Sequence, residues 1–265
     1  MLKSIKFLLI KSITMQKNIT ATIITLNEEK HIREVIENVQ KVCDEVIVVD
    51  SCSTDKTIEI AESLGAKVIK QKYLGDGGQK AWCEQYAKND WILSIDADER
   101  FEDEALEMIE SIDLEKTQYE GFSFRRKSFI GKKYIRQWYP DRVVRLYDKS
   151  KCGYNTEGEH GAVQTKNFQE LDVDMLHYSF TDFGMLVRKA DRFAVNLAHV
   201  RYKEGKRASW YDPFLHGMGA FFKGMIIKGG ILGGLHEWHV GFASAYNAYM
   251  KYVIMLELQE NENNE

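Results

Sequence analysis

EVIVVD, residues Glu45–Asp50, is a continuous apolar run closed by an acid. Val46, Ile47, Val48 and Val49 leave no polar face, the pattern of a central parallel strand covered on both sides. Ser51–Asp55 supplies turn and cap residues, a helix is predicted over Thr57–Leu64, and Gly65 stops it as a C′ glycine. Lys67–Lys70 is a further short strand. On the amino-terminal side, Ile19–Thr25 is a strand and Ile32, Val35, Ile36 and Val39 recur at helical spacing. On the carboxyl side, Gly75–Gly78 is a predicted loop, Lys80–Ala87 a helix, and Trp91–Ile95 a strand running into Asp96. The alternation implies a doubly wound, mostly parallel α/β sheet. Ligands of such sheets bind at the carboxyl ends of the strands. There the chain places Asp50, Asp96 and the Leu26–Glu29 loop.

The rest of the 265 residues fits one such domain with an extension. Residues 1–17 read as a short basic amphipathic lead-in, with Met15 a second candidate start, and 18–181 as the catalytic α/β domain. Within it, Glu99–Glu115 is a predicted solvated acidic helix, 119–150 holds further strands, and Leu171–Phe180 is the last strand. Residues 182–260 read as a helical, membrane-associating region and 261–265 as a polar tail. No apolar run reaches the roughly 18 residues of a transmembrane helix. A net charge of −4 gives no reason to expect nucleic acid as a partner. Cys43, Cys52, Cys83 and Cys152 form no C-x-x-C pair, which excludes zinc-ribbon and thioredoxin-like readings and fits a reducing cytoplasm. Each is expected to be a small buried or half-buried side chain.

Asp96-Ala97-Asp98 follows a buried strand. Two carboxylates two residues apart at a strand end suit one hard cation, Mg2+ or Mn2+, shared with a diphosphate. Asp50 is placed to accept hydrogen bonds from a base or ribose. Capping of the next helix by Thr54 or Asp55 leaves it unoccupied. Gly75–Lys80 matches neither a dinucleotide fingerprint nor a P-loop. Arg142 and Arg145 are candidates for bidentate contact with donor or acceptor phosphates, with solvated surface cations as the competing reading. Residues 188–228 hold nine Lys/Arg against three acids. The basic, apolar region 188–235 fits peripheral contact with anionic inner-membrane lipids, or a helical cap over the sheet. His236-Glu-Trp-His239 does not match the H-E-x-x-H zinc motif.

Taken together, Thr25-Leu-Asn-Glu28, VIVVDSCSTDKT (46–57), LGDGGQKAW (74–82) and WILSIDADER (91–100) resemble family 2 glycosyltransferases of the GT-A fold. YPDRVVRLYDKSKCGYN (139–155) and LHYSFTD (176–182) are similar to the lipopolysaccharide inner-core β-glucosyltransferase branch. The resemblance implies that Thr25, Asn27 and Glu28 line a nucleobase pocket, that Asp50 contacts uracil, and that Asp96 and Ala97 meet the ribose. It puts Asp98 on the metal, with Gln79 or Lys80 near the donor. His177 is implied as a further metal ligand or a phosphate contact, with a structural histidine as the alternative. No Q-x-x-R-W motif is present, which argues for transfer of one sugar. The branch carries Val-His-Glu after its R-L-(F/Y) strand, whereas here Thr156–Gly161 reverses acid and histidine. Glu159 is the first candidate base, with Glu157 and His160 as alternates.

The expected protein is thus an inverting, metal-dependent hexosyltransferase at the cytoplasmic face of the inner membrane. It takes a UDP-sugar donor, with UDP-glucose the implied one, and a glycan or glycolipid acceptor. Three rivals stay open: a sugar nucleotidyltransferase, a non-catalytic nucleotide-sugar-binding protein, and transfer to another glycan or a peptide.

Overall fold

A computed structural model describes residues 18–156 and 161–264. Strands β1 (Ile19–Thr25), β2 (Glu45–Asp50), β3 (Lys67–Lys70) and β4 (Trp91–Asp96) alternate with helices α1 (Ile32–Val39), α2 (Thr57–Ser63) and α3 (Asp76–Glu84). β1 lies between β2 and β4, β3 flanks β2, and all three pairings are parallel. The sheet continues beyond β4 through β8 (Asp141–Asp148), β6 (Gly121–Ile130), β9 (Phe168–Phe180) and β5 (Glu99–Phe101). β7 (Lys133–Tyr134) pairs with β6. β4–β8 and β5–β9 are antiparallel, so a parallel doubly wound half is extended by antiparallel strands.

Strand alternation explains why β2 carries no polar face. Val46 and Val48 enter one cluster with Ile32, Val35, Ile36 and Val39 of α1. Ile47 and Val49 enter a second on the other side, with Cys83 and Ala87 at the end of α3. Each face of the strand needs its own apolar set because a period of two sends successive side chains opposite ways. Full burial of each Val or Ile contributes about 1.5–3 kcal/mol.

Three sequence expectations change here. Asp76–Gly78 is the first turn of α3 and no loop. A Cβ on Gly77 would stand 1.9 Å from the Asn155 carbonyl oxygen, so glycine is required by close approach there despite its poor helix propensity. Glu99–Phe101 is a buried strand, and the helix, α4 (Asp103–Ser111), starts only afterwards. Pairing with β9 overrode the helical charge pattern. Among the cysteines, Cys43 and Cys83 are buried and Cys152 half-buried, but Cys52 is exposed on a left-handed turn residue (φ 72°), contrary to expectation.

The chain divides into two compact units. One takes the chain up to Arg126 with Arg142–His177, and the other takes Lys127–Asp141 with Tyr178–Glu265. The second holds helices α5 (Phe183–Lys203), α6 (Asp212–Phe222) and α7 (Leu235–Asn264). Asp182 caps α5, its side chain accepting from the Met185 amide at 2.8 Å. Leu186, Ala190, Ala194 and Ala198 form the buried stripe of α5. Among the described residues, no helix is long and apolar enough to cross a membrane.

Candidate active site

Strand register brings the polar strand ends together. Thr25 lies opposite Asp50, and Ile24 opposite Asp96. The loops that follow β1 and β2 are zipped by side-chain contacts. The Asn27 amide donates to Ser53 Oγ (2.8 Å), the Thr54 amide to Asn27 Oδ1 (2.8 Å), the Glu28 amide to Thr57 Oγ1 (2.8 Å), and the Glu29 amide to Asp55 Oδ2 (3.2 Å). Asn27 takes φ 56°, a conformation that Asn tolerates because its short polar side chain bonds locally. Asp50 is fully buried and accepts from both the amide and the hydroxyl of Ser53. The turn therefore does occupy Asp50, through Ser53, one of the three residues expected to cap the next helix. Thr25 Oγ1 is buried and has no hydrogen-bond partner among the described residues. A hydroxyl left in that state is costly unless a ligand satisfies it.

At the end of β4 the acids are surrounded by cations. Lys80 Nζ, on α3, lies 2.8 Å from Asp96 Oδ1 and 3.0 Å from Asp76 Oδ1. Arg145 Nη2, on β8, donates to Asp96 Oδ2 at 2.8 Å and to Glu99 Oε1 at 2.6 Å. Arg126 Nη1 also donates to Glu99 (3.1 Å), and Glu99 Oε2 accepts the Asp96 amide at 3.1 Å. Burial alone would raise the Asp96 carboxyl; Lys80 and Arg145 outweigh it and hold the group far below the ordinary carboxylate range. Burial alone would lower Lys80, and Asp96 overrides it, so the ammonium is held above its usual value. The Tyr154 hydroxyl accepts from Arg145 at 3.2 Å and donates to Ser94 at 3.1 Å, while its ring lies 5.5 Å from Lys80 Nζ. Arg100 donates to the Ala97 carbonyl at 2.8 Å and so fixes the backbone between the two acids.

Asp98 has a different partner. Register places His177 opposite Glu99, and His177 Nε2 stands 3.5 Å from Asp98 Oδ2. Burial raises the Asp98 carboxyl, but the neighbouring imidazole more than compensates, and the net shift is downward. Among the described residues no three His, Cys, Asp or Glu side chains gather as a metal cage. Two ligands are enough for a hard cation that keeps waters and shares a diphosphate, so Asp98 with His177 fits Mg2+ or Mn2+.

Of the residues singled out from sequence, Lys80, Asp96 and Arg145 form one connected cluster, and Asp98 and His177 form a pair at the same strand end. Gln79 is buried; its amide nitrogen reaches Ser51 Oγ and the Gln71 carbonyl at 3.3 Å. Arg142 separates from Arg145. It pairs with Glu170 (3.3 Å) and Asp172 (2.7 Å) on β9. Glu157, Glu159 and His160 lie outside the described residues. On either side of them, the Gly161 amide donates to Asp76 Oδ2 (2.8 Å) and the Ala162 amide to Asn155 Oδ1 (2.6 Å). The sequence reading missed Asp76, Glu99, Arg100, Arg126 and Tyr154. The run Asp-Ala-Asp-Glu-Arg held a signal for two of them, since a buried strand end followed by alternating charges needs internal partners.

Residues 20–162 match the model of the family described as glycosyl transferase family 2. An uncharacterized glycosyltransferase of Rickettsia bellii is 34% identical over 258 residues, covering 92% of this chain and 88% of that protein. A lipopolysaccharide core biosynthesis glycosyltransferase of Rhizobium meliloti, LpsC, is 25% identical over 229 residues, covering 81% and 84%. The crystal structure of Staphylococcus aureus TarS 1–349 aligns with a TM-score of 0.47 at 16% identity, covering 92% and 91% of the two chains.

Proposed function

The chain belongs to glycosyl transferase family 2 and is a glycosyltransferase; on that premise we propose that it moves one glucose from UDP-glucose to a sugar hydroxyl of a lipid-linked glycan, such as the lipopolysaccharide inner core. The observation that carries this reading is the division of labour at the end of β4. Asp96 is ion-paired with Lys80 and Arg145, while Asp98 pairs with His177. The lipopolysaccharide core biosynthesis role of the Rhizobium relative supports the acceptor, and peripheral contact with anionic lipids of the inner membrane would bring the enzyme to it.

In this mechanism Thr25, Asn27, Glu28 and Asp50 take the nucleoside, with the unpartnered Thr25 hydroxyl as one contact. Asp96 and Ala97 meet the ribose, and Lys80, with Gln79 beside it, and Arg145 keep positive charge beside the diphosphate. Asp98 and His177 would hold Mg2+ or Mn2+, which would supply Lewis-acid neutralisation of the leaving diphosphate. Glu159, with Glu157 and His160 as alternates, removes the acceptor proton. The acceptor oxygen then bonds to the anomeric carbon as the bond to UDP breaks, and its electron pair leaves on the phosphate oxygen. One displacement inverts the centre and gives a β linkage.

A donor panel of UDP-glucose, UDP-galactose and UDP-N-acetylglucosamine tests the reading, followed by hydrolysis and by thermal shift with and without Mn2+. UDP-glucose is expected to give the largest Mn2+-dependent signal. No response to any donor would overturn the whole reading.

A further inference from the structure

The turn between α6 and α7 is built to hold apolar side chains out in water. α6 passes into one π-helical turn (Lys223–Ile227), a left-handed Gly229 (φ 70°) and a 3-10 turn (Gly230–Leu232) before α7 starts. Along it Ile227 is 79% exposed, Leu232 80% and Leu235 72%, with Ile226 and Ile231 also exposed. Phe222 adjoins through Phe221, whose ring lies 5.0 Å from Phe242 and 6.0 Å from Trp238 on α7. Isolated exposed aliphatics are ordinary, but a run of this size marks a contact surface.

The turn is locked from beneath. Glu237 is buried and accepts from the Arg136 amide (2.6 Å) and from Gln137 Nε2 (2.9 Å), and Gln137 Nε2 also donates to the Glu237 carbonyl (2.6 Å). A Cβ on Gly224 would stand 2.2 Å from Gln137 Oε1, and one on Gly233 2.3 Å from Glu237 Cγ. Two glycines thus let the turn close down on a buried polar pair. The aliphatic display is consequently fixed by packing.

Charge selects the partner. From Pro213 to His236 there is no Asp or Glu, while Lys223 and Lys228 are both exposed on the turn. The basic residues nearer 207 contribute less, since Arg207 pairs with Glu262 (3.0 Å) and Lys206 with Glu204 (3.1 Å). A second copy meeting this face across a two-fold axis would set these lysines against lysines. We propose that the turn between α6 and α7 docks on an anionic bilayer surface, its aliphatic side chains entering the acyl boundary and Lys223 and Lys228 meeting lipid phosphates. The inference rests on the peripheral-contact part of the functional reading and gives it a surface. It moves that contact from the whole basic stretch 188–235 to one turn.

The test is sedimentation of the full chain with vesicles of phosphatidylglycerol and phosphatidylethanolamine, against vesicles of phosphatidylcholine alone. Wild type is expected to prefer the anionic vesicles. The double variant Ile227→Asp/Leu232→Asp is expected to bind them about tenfold more weakly or worse, at an unchanged thermal midpoint, because both side chains already face water. Lys223→Glu/Lys228→Glu is expected to abolish the preference for phosphatidylglycerol. Undiminished binding by the aspartate variant overturns this surface and leaves peripheral contact standing. No vesicle binding by wild type overturns both. A lipid-free dimer that the aspartate variant dissociates identifies a second copy as the occupant and likewise overturns the inference. None of these outcomes touches the donor panel, which reads the transferase separately.

Discussion

Asp96, half-buried, and Glu237, buried, are both carboxylates paired within their own unit, but they keep different company. Asp96 is bonded to Lys80 and Arg145, two cations held by α3 and β8. Glu237 is bonded to neutral donors, the Arg136 amide and the Gln137 side chain. The first arrangement keeps charge concentrated at a strand end, where a charged ligand would come. The second spends a carboxylate on closing a turn. A buried ion pair is weak grounds for a stability argument, so the Asp96 cluster is better understood as keeping charges in register for a ligand. Replacing members of each cluster should separate these roles.

The largest expected effect falls next to the cage, at Asp98. Asp98→Ala should lower turnover by about 10²–10³-fold with the urea midpoint little changed, because it removes the proposed cation ligand and leaves the pairs of Asp96 and Glu99 with Lys80, Arg145 and Arg126 intact. Chelation of wild type should reproduce the loss. Full turnover in saturating chelator would refute the cation.

Next comes Arg145→Met. It leaves the fully buried Glu99 with Arg126 and the Asp96 amide and removes one of two cations from Asp96, so unfolding stability should fall by about 3–5 kcal/mol. Equilibrium urea unfolding reads this directly, and a loss under 1 kcal/mol would show that water or Arg126 already carries Glu99.

In the helical unit the corresponding cut is smaller. Gln137→Ala removes a neutral partner from Glu237 and should cost about 1–3 kcal/mol, with donor affinity unchanged by calorimetry. A shift in donor affinity equal to that of an Asp96 variant would break the contrast between the clusters.

The smallest effect is at Thr25. Its hydroxyl has no partner among the described residues, so Thr25→Val should leave stability within about 1 kcal/mol of wild type or raise it, and should weaken UDP binding by roughly five- to tenfold. Unchanged UDP affinity would remove Thr25 from the nucleotide contacts.

Much of the parallel half was legible because its signals are local. The unbroken run Val46–Val49 announced a strand covered twice, and Ile32, Val35, Ile36 and Val39 announced the buried face of α1; both hold. Asp50 and Asp96 were found for the same reason, as acids closing apolar runs. The mistakes share one cause. Glu99 and Arg100 look like the start of an acidic helix until β9 pairs with them. Gly75–Gly78 looks like a loop until Asn155 closes on Gly77. Arg142 and Arg145 look equivalent, and their partners on β9 and at the end of β4 make them different. In each case the deciding neighbour is distant in sequence, and single-residue propensities are weaker than a tertiary contact.

Alternation, apolar periodicity and acids at strand ends are set by neighbours along the chain. From them the sequence alone determined the α/β class, the helical continuation after Asp182 and the strand ends that carry Asp50, Asp96 and Asp98. Tertiary structure alone decided what each charge does, because charge interactions depend on separation in space. It gave Asp96 to Lys80 and Arg145, turned Asp98 toward His177, hid Glu99, and made a buried pair of Gln137 and Glu237. It also turned an unremarkable glycine-rich stretch into a rigid apolar surface, because close packing around that pair leaves Ile227 and Leu232 nowhere to go but out.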